Sequence, residues 1–194
     1  MINIMTTTSH FLGISLNTDL FIGLFKSLRK YLKENNIENA ISLQDRSSLH
    51  ITIYYFGENL DDATLSKLKN DLLILNKKEK LFPIFVDEVN FFMQQGQNRL
   101  CYLYPSKGKK IEEINSILKP KYFNKIVDNN YPKYIPHITI FKIKDFDLYQ
   151  KHQENMLTII KHYLKGIRQD NVFESFNLFS VNSTLSPEKY TIIF

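Results

Sequence analysis

LHITI at residues 49–53 and PHITI at residues 136–140 are the two stretches that decide the fold. Each places a histidine and a threonine two residues apart in an apolar, β-branched run, a pattern typical of a β-strand. Because successive side chains of a strand point to opposite faces, the histidine and threonine share one face and the isoleucines share the other. The sequence therefore predicts two strands that each present an imidazole beside a hydroxyl.

This pair of groups, presented twice, is suited to phosphate chemistry. Histidine exchanges a proton near neutral pH, so one imidazole can take a proton while the other gives one. His50 and His137 are therefore the candidate catalytic residues, and the sequence leaves open which is the acid and which the base. The competing interpretation is two hydrogen-bonded sheet histidines, followed by threonines that serve only strand propensity.

The overall composition is that of an ordinary globular protein, with 194 residues, 43% hydrophobic and 23% charged. A formal net charge of +5 favours phosphorylated ligands over other classes. Cys101 is the single cysteine, which excludes an internal disulfide and a cysteine zinc site. Its apolar strand context predicts an inert, packed thiol. With no secretory signal and no long apolar segment in the sequence, we expect a cytoplasmic monomer that does not bind membranes.

Hydrophobic periodicity and turn residues predict an α+β fold. Strands are predicted at His10–Leu16, Ala40–Leu43, Ser48–Phe56, Phe82–Phe92, Arg99–Tyr104, Tyr134–Ile143, Phe173–Asn182 and Lys189–Phe194. Helices are predicted at Leu20–Asn35, Asp61–Leu75, Lys109–Leu118 and Leu148–Lys165, the third stopped by Pro120. Strand and helix recur in similar order around each motif, and no Gly- or Ser-rich linker separates the halves. We therefore expect residues 1–194 to form a single bilobal domain with pseudo-twofold symmetry.

The motifs resemble those of a known family. SLHITIYYFGE at 48–58 resembles the first motif of the two-histidine (2H) phosphoesterases of the 2'-5' RNA ligase and cyclic phosphodiesterase type. PHITIFK at 136–142 resembles their second, and weaker similarity extends over NRLCYL at 98–103 and STLSPEKY at 183–190. The resemblance implies two similar lobes of antiparallel sheet, with outer helices, around a central groove.

The resemblance also implies an activity. A phosphoric diester hydrolase of this type converts a 2',3'-cyclic phosphate to a 2'-phosphate on RNA ends or small nucleotides, with reversible 2'-5' RNA ligation as a further expectation. It implies that Thr52 and Thr139, the threonines of the two HxT motifs, donate hydrogen bonds to non-bridging phosphate oxygens. Two alternatives stay open: cleavage of 2',5'-linked oligoadenylates, and a non-catalytic module that binds RNA or nucleotides.

Four further side chains are candidate base or phosphate contacts. Tyr54 and Phe141 share the histidine faces by period-2 counting, so they are expected to stack on a base or to pack in the core. Arg99 and Lys142 are expected to bind phosphate or to be ordinary surface charges. No His, Asp or Glu set has metal-ligand spacing and no glycine-rich phosphate loop occurs, so we expect neither a metal nor a cofactor.

Overall fold

The structure is a computed structural model that describes residues 8–58, 60–78, 83–122, 133–167, 170–182 and 189–193. Its strands are β1 (Thr8–Leu16), β2 (Ile41–Leu43), β3 (His50–Glu58), β4 (Val86–Gln94), β5 (Gln97–Pro105), β6 (Ile138–Ile143), β7 (Phe173–Asn182) and β8 (Lys189–Ile192). Its α-helices are α1 (Ile22–Glu34), α2 (Asp62–Lys78), α3 (Gly108–Lys121) and α4 (Phe146–Ile167). The predicted strand start at Phe82, most of the predicted closing hairpin at 183–190 and the terminal Phe194 lie outside the described residues.

The eight strands form one antiparallel sheet in the order β4-β5-β6-β3-β1-β7-β8, with β2 added to the edge of β6. The two histidine strands are neighbours, yet β3 and β6 pair only at Ile51 and Ile138. This single contact divides the sheet into a β1 lobe (β1, β3, β7, β8) and a β4 lobe (β2, β4, β5, β6). The predicted antiparallel lobes are confirmed, but each takes strands from both halves of the chain.

Helices cover one face of the sheet. In the β1 lobe, α2 packs on β7 and α3 packs on β3. In the β4 lobe, α4 packs on β4 and β5, and α1 packs on α4. The isoleucines of both motifs face these helices: Ile51, Ile53, Ile138 and Ile140 are 0% exposed. Burial of each of these side chains stabilises the fold by about 1.5–3 kcal/mol. This stabilisation holds the isoleucine face of each strand toward the helices, so the histidine and threonine face is turned away from the core.

A β-bulge follows the threonine of each motif. Between β1 and β3, Gly13 pairs with Thr52 and Leu12 pairs with Tyr54, so Ile53 is the extra residue. Between β5 and β6 the same shift makes Ile140 the extra residue. A bulge interrupts the alternation of side chains, and here it turns two successive residues of each strand toward the core. The two motifs thus share a local irregularity as well as a sequence.

The predicted stop of the third helix at Leu118 is wrong. Helix α3 continues through Pro120 to Lys121, and the Tyr122 backbone N–H still donates to the Leu118 carbonyl at 3.0 Å. Proline removes one N–H donor, and in the last turn of a helix that loss interrupts little of the ladder.

Candidate active site

The two histidine motifs are related by a local twofold axis at the Ile51–Ile138 pair. In an antiparallel register, this pair places His50 across from Thr139 and Thr52 across from His137. Because Ile51 and Ile138 both point into the core, all four polar side chains lie on the opposite face. The two histidines are therefore diagonal to each other across this pair.

Each imidazole is oriented by the same hydrogen bond. His50 Nδ1 lies 2.8 Å from the Ser48 carbonyl oxygen, and His137 Nδ1 lies 2.8 Å from the Ile135 carbonyl oxygen. A carbonyl oxygen only accepts, so each Nδ1 carries the hydrogen and donates it. In the neutral form of both rings the Nε2 atom therefore carries the lone pair, which can accept a proton.

Aromatic rings surround both histidines. The His50 ring centroid lies 4.8 Å from that of Phe11, 5.4 Å from Phe179 and 5.0 Å from Tyr190. The His137 ring centroid lies 4.9 Å from that of Phe92 and 5.6 Å from that of Tyr102. The rings restrict the rotation of the imidazoles and exclude water from one side of each. Sequence patterns did not single out these residues, because they come from strands distant along the chain.

Gly13 provides the space for the rings beside His50. A Cβ added at Gly13 would lie 3.0 Å from a ring carbon of Phe11, 3.0 Å from one of Phe179 and 3.0 Å from the Ile51 carbonyl oxygen. The two phenylalanine rings stack on each other with centroids 4.8 Å apart directly over this glycine. Any larger side chain here must displace them.

We therefore expect Gly13→Ala to destabilise the fold by about 1–3 kcal/mol, the usual cost of an overpacked site. The matched control is Gly166→Ala, because nothing lies within 4 Å of a Cβ added at this position in α4. The control is expected to gain about 0.5–1 kcal/mol, since alanine is the better helix former. Urea unfolding measures both, and equal stability of Gly13→Ala and the unmodified protein would contradict the tight ring packing.

Burial affects the protonation of His137. Its surroundings lower the pKa of the imidazole, and the hydrogen bond to the Ile135 carbonyl acts in the opposite direction with a smaller effect. Desolvation penalises the charged form, so the ring is held neutral near pH 7. A neutral imidazole is the form that accepts a proton.

The strands β3 and β6 separate beyond the Ile51–Ile138 pair. Past this point, side chains form the hydrogen bonds to β3 that a neighbouring strand would otherwise form. The Tyr134 hydroxyl donates to the Thr52 carbonyl at 2.7 Å, and Asn115 Nδ2 donates to the Ile53 carbonyl at 2.7 Å. These bonds satisfy carbonyl groups that a continuous sheet would have paired.

This separation leaves a cavity of about 540 Å³. Its lining is mostly aromatic and apolar, with two lysines, one motif threonine and one motif histidine: Thr52, Ile53, Tyr54, Tyr55, Phe92, Leu100, Asn115, Lys119, Lys133, Tyr134, Ile135 and His137. His50 and Thr139 do not line it; they lie beside it on the same face of the sheet. The volume is in the range of small-molecule sites, about 300–1,000 Å³.

Of the two roles expected for Phe141, the structure shows packing in the core and not contact with a base. Its ring is 0% exposed and packs against Tyr149 in the core, with centroids 5.9 Å apart. The bulge at Ile140 is the physical reason, because it turns Phe141 away from the face that period-2 counting assigned to it.

Tyr54 is likewise displaced by the bulge at Ile53. It is 3% exposed, its hydroxyl donates to the Tyr122 carbonyl at 2.9 Å, and its ring contributes to the cavity wall from the core side. Both expected roles of Tyr54 thus stay open for the same ring: the structure shows it packed, and base contact through the cavity stays a prediction. Tyr55, and not Tyr54, lies on the face that carries the histidines, and its hydroxyl donates a hydrogen bond to Ser9 Oγ at 2.8 Å.

Arg99 and Lys142 do not line the cavity. The Arg99 guanidinium donates to Gln97 Oε1 at 2.7 Å from a bulge between β4 and β5. Lys142 is exposed at the edge of the face, where its backbone pairs with Ser42 and Leu100. Phosphate binding by either residue stays a prediction. Lys119, Lys133 and Asn115 were missed, because isolated polar residues of a helix or loop carry no sequence signal for a cavity.

Cys101 is fully buried, and burial raises the pKa of its thiol far above the usual range, as expected for a packed side chain. Among the residues that the structure describes, no group of three or more His, Cys, Asp and Glu side chains is placed to hold a metal ion. In the same residues, no helix is both long and apolar enough to cross a membrane.

Comparison with known proteins gives matches among solved structures. The TT0787 protein of Thermus thermophilus matches with a TM-score of 0.67 and 13% identity, over 96% of this chain and 95% of that one. E. coli LigT in complex with phosphate matches with a TM-score of 0.58 and 13% identity, over 97% and 96% of the two chains. A structure described as a phosphoesterase matches with a TM-score of 0.58 and 12% identity, over 96% of each. No family model and no curated protein matches the sequence.

These likenesses span nearly the whole of each chain, so the protein has the fold of LigT and of the phosphoesterase structure. The predicted α+β fold with two antiparallel lobes is thereby confirmed. At 12–13% identity the likeness concerns the fold, and the chemistry rests on the arrangement of this chain's own residues.

Proposed function

We propose that the protein is a metal-independent phosphodiesterase of the two-histidine type that acts on RNA ends or small nucleotides. Its reaction is the hydrolysis of a 2',3'-cyclic phosphate to a 2'-phosphate. The observation that carries the proposal is the twofold-related pair of imidazoles on one face, each with Nδ1 bonded to a backbone carbonyl at 2.8 Å. Two sheet histidines with purely structural roles have no need of this matched orientation.

In the proposed reaction the phosphate lies over the centre of the face, between the two histidines. The oxygen of water forms a bond to phosphorus and the P–O3' bond breaks. His137 Nε2 takes the proton of the attacking water, a role that suits its neutral state, and His50 gives a proton to the departing O3'. Thr52 and Thr139 donate to the non-bridging oxygens, which gain charge in the transition state.

The cavity supports a nucleotide as the substrate. Its lining combines Thr52 and His137, the residues proposed to hold the phosphate, with aromatic side chains and with Lys119 and Lys133. A base is accommodated by apolar and aromatic walls, and lysines attract further phosphate groups. The structures of E. coli LigT include complexes with 3'-AMP, ATP and NADP+, which shows that a protein of this fold binds nucleotides.

Cleavage of 2',5'-linked oligoadenylates is the second candidate, and it uses the same residues with a nucleoside as the leaving group. Reversible 2'-5' ligation of RNA ends is the reverse of a related cleavage, in which the neighbouring 3'-hydroxyl attacks phosphorus in place of water, the P–O5' bond breaks, and a 2',3'-cyclic phosphate and a 5'-hydroxyl form. Purified protein incubated with 2',3'-cyclic AMP, and separately with a 2',5'-linked adenylate trimer, distinguishes these activities by their products. Tight nucleotide binding without any cleavage would instead favour a non-catalytic binding module.

The pH dependence tests the role of His137. Because burial lowers its pKa below the ordinary value of 6.5, the acid limb of the kcat/KM profile for 2',3'-cyclic AMP should have its midpoint below pH 6.5. The sign follows from the neutral ring being the proton acceptor, so activity is lost as acidification protonates it. A kcat/KM profile with its acid midpoint at or above pH 6.5 would contradict the assignment of His137 as the base.

A further inference from the structure

The two motif threonines are held in their strands by different contacts, although the motifs are otherwise alike. On one edge of β6, Thr139 pairs with Tyr102 of β5. On the other edge, the backbone N–H of Gln44, which follows β2, donates to the Ile140 carbonyl at 2.9 Å. Main-chain hydrogen bonds therefore hold the second motif on both edges of its strand.

Side chains hold the corresponding edge of β3. Thr52 pairs with Gly13 of β1 on one side. On the other side the Tyr134 hydroxyl donates to the Thr52 carbonyl at 2.7 Å. Asn115 Nδ2 donates to the next carbonyl, that of Ile53, also at 2.7 Å. The position of the first motif threonine thus depends on individual side chains, where the second motif depends on the main chain.

Tyr134 also belongs to the short segment that orients His137. The Ile135 carbonyl, directly after Tyr134, accepts the Nδ1 hydrogen bond of His137 at 2.8 Å. Pro136 lies between this carbonyl and the histidine, and its ring fixes one backbone dihedral angle of the segment. The Tyr134 hydroxyl therefore joins the backbone of Thr52 to the segment that sets the orientation of His137.

The Tyr134 hydroxyl is suited to hold a backbone carbonyl in place. Burial raises its pKa far above the usual range, so the hydroxyl keeps its proton at neutral pH and donates it to the carbonyl. The side chain of Tyr134 also lines the cavity. Because phenylalanine retains the ring, Tyr134→Phe removes the hydrogen bond to Thr52 and keeps the cavity wall.

We propose that Tyr134 is a positioning residue, which holds the Thr52 hydroxyl in register with the His137 imidazole. The inference rests on the proposed function and adds a residue that acts through two others. A hydroxyl stabilises the transition state only when it points at the oxygen that gains charge. A small displacement of Thr52 weakens this bond in the transition state while the base and ribose stay bound. The contribution of Tyr134 should therefore appear in kcat and not in KM.

The test is a double-mutant cycle. Tyr134→Phe should lower kcat for 2',3'-cyclic AMP about tenfold, the upper end of the effect of one hydrogen bond, and change KM by less than about twofold. In a Thr52→Ala background the same substitution should change kcat by less than about twofold, because the hydroxyl to be positioned is gone. In a Thr139→Ala background the loss of about tenfold should persist, since main-chain bonds hold that strand. The matched control is Tyr163→Phe, which removes a hydroxyl that bonds Ser27 Oγ at 2.7 Å between α4 and α1 and should leave kcat unchanged.

Equal losses of kcat with and without the Thr52 hydroxyl would indicate a general loss of structure and overturn the positioning role. A Tyr134→Phe protein with full kcat would overturn it as well.

A binding measurement keeps this inference separate from the proposed function. The complex of adenosine with vanadate has a five-coordinate centre that mimics the transition state. Tyr134→Phe should weaken its binding about tenfold when Thr52 is present, and by less than about twofold in the Thr52→Ala background. This pattern in a protein that cleaves no diester would support the positioning role and refute the hydrolase function. Absence of binding, or equal weakening in both backgrounds, would overturn the positioning role even if the enzyme is active.

Discussion

Replacing His50 or His137 with alanine is expected to lower the turnover of 2',3'-cyclic AMP by about 10²–10⁴-fold, the range for loss of a general acid or base. In each histidine the hydrogen bond from Nδ1 to a backbone carbonyl fixes the orientation of the ring and so the position of Nε2. Alanine has no imidazole, so no group remains at the Nε2 position to give or take a proton. The double variant should lose little more than the worse single variant, because the two residues act as one unit.

The control for this prediction is His162→Ala, since His162 is exposed on α4 and contacts only the neighbouring Tyr163 ring among the interactions that the structure describes for it. It should retain full turnover. Steady-state assays of the three single variants, with far-ultraviolet circular dichroism to confirm folding, provide the measurement. Folded His50→Ala and His137→Ala proteins that keep most of their turnover would refute paired-histidine catalysis.

Thr52→Ala is expected to reduce kcat by about 10²–10³-fold, the cost of removing one donor to a developing oxyanion. Thr139→Ala should behave similarly, because the two threonines are related by the same twofold axis as the histidines. The effect falls on kcat more than on KM, since the bond to a non-bridging oxygen strengthens in the transition state.

Serine replacements distinguish this role from packing. Thr52→Ser and Thr139→Ser keep the hydroxyl and lose only a methyl group, so each should recover most of the turnover that alanine loses. If serine and alanine variants are equally impaired, the methyl contacts of the threonines matter and their hydroxyl groups do not.

The part of the fold that follows from period-2 alternation was predictable from sequence. LHITI and PHITI fix an apolar and a polar face without reference to any other strand, and the structure buries the isoleucines of both as expected. The predicted start of the second motif's strand at Tyr134 is wrong, because β6 begins at Ile138 and His137 precedes it. The resemblance of the two motifs to a two-histidine family supplied the lobed architecture. Interleaving of the lobes was not predictable, because pairing between strands distant in the chain is set by packing and not by local pattern.

Side chains beyond the threonines were predicted less well. A bulge is a property of two paired strands, so a single strand's sequence did not reveal that Ile53 and Ile140 displace Tyr54 and Phe141. Asn115 and Tyr134 were not assigned to the site for a related reason. They fill a gap in the pairing of β3 that exists only once β6 has diverged from it.

A crystal structure with 2'-AMP bound is the most direct test of the account. We predict that the phosphate group lies between His50 and His137, with both Nε2 atoms and the hydroxyls of Thr52 and Thr139 within hydrogen-bond distance of its oxygens. A phosphate that contacts only one of the two imidazoles, or that binds away from this face of the sheet, would contradict the proposed chemistry.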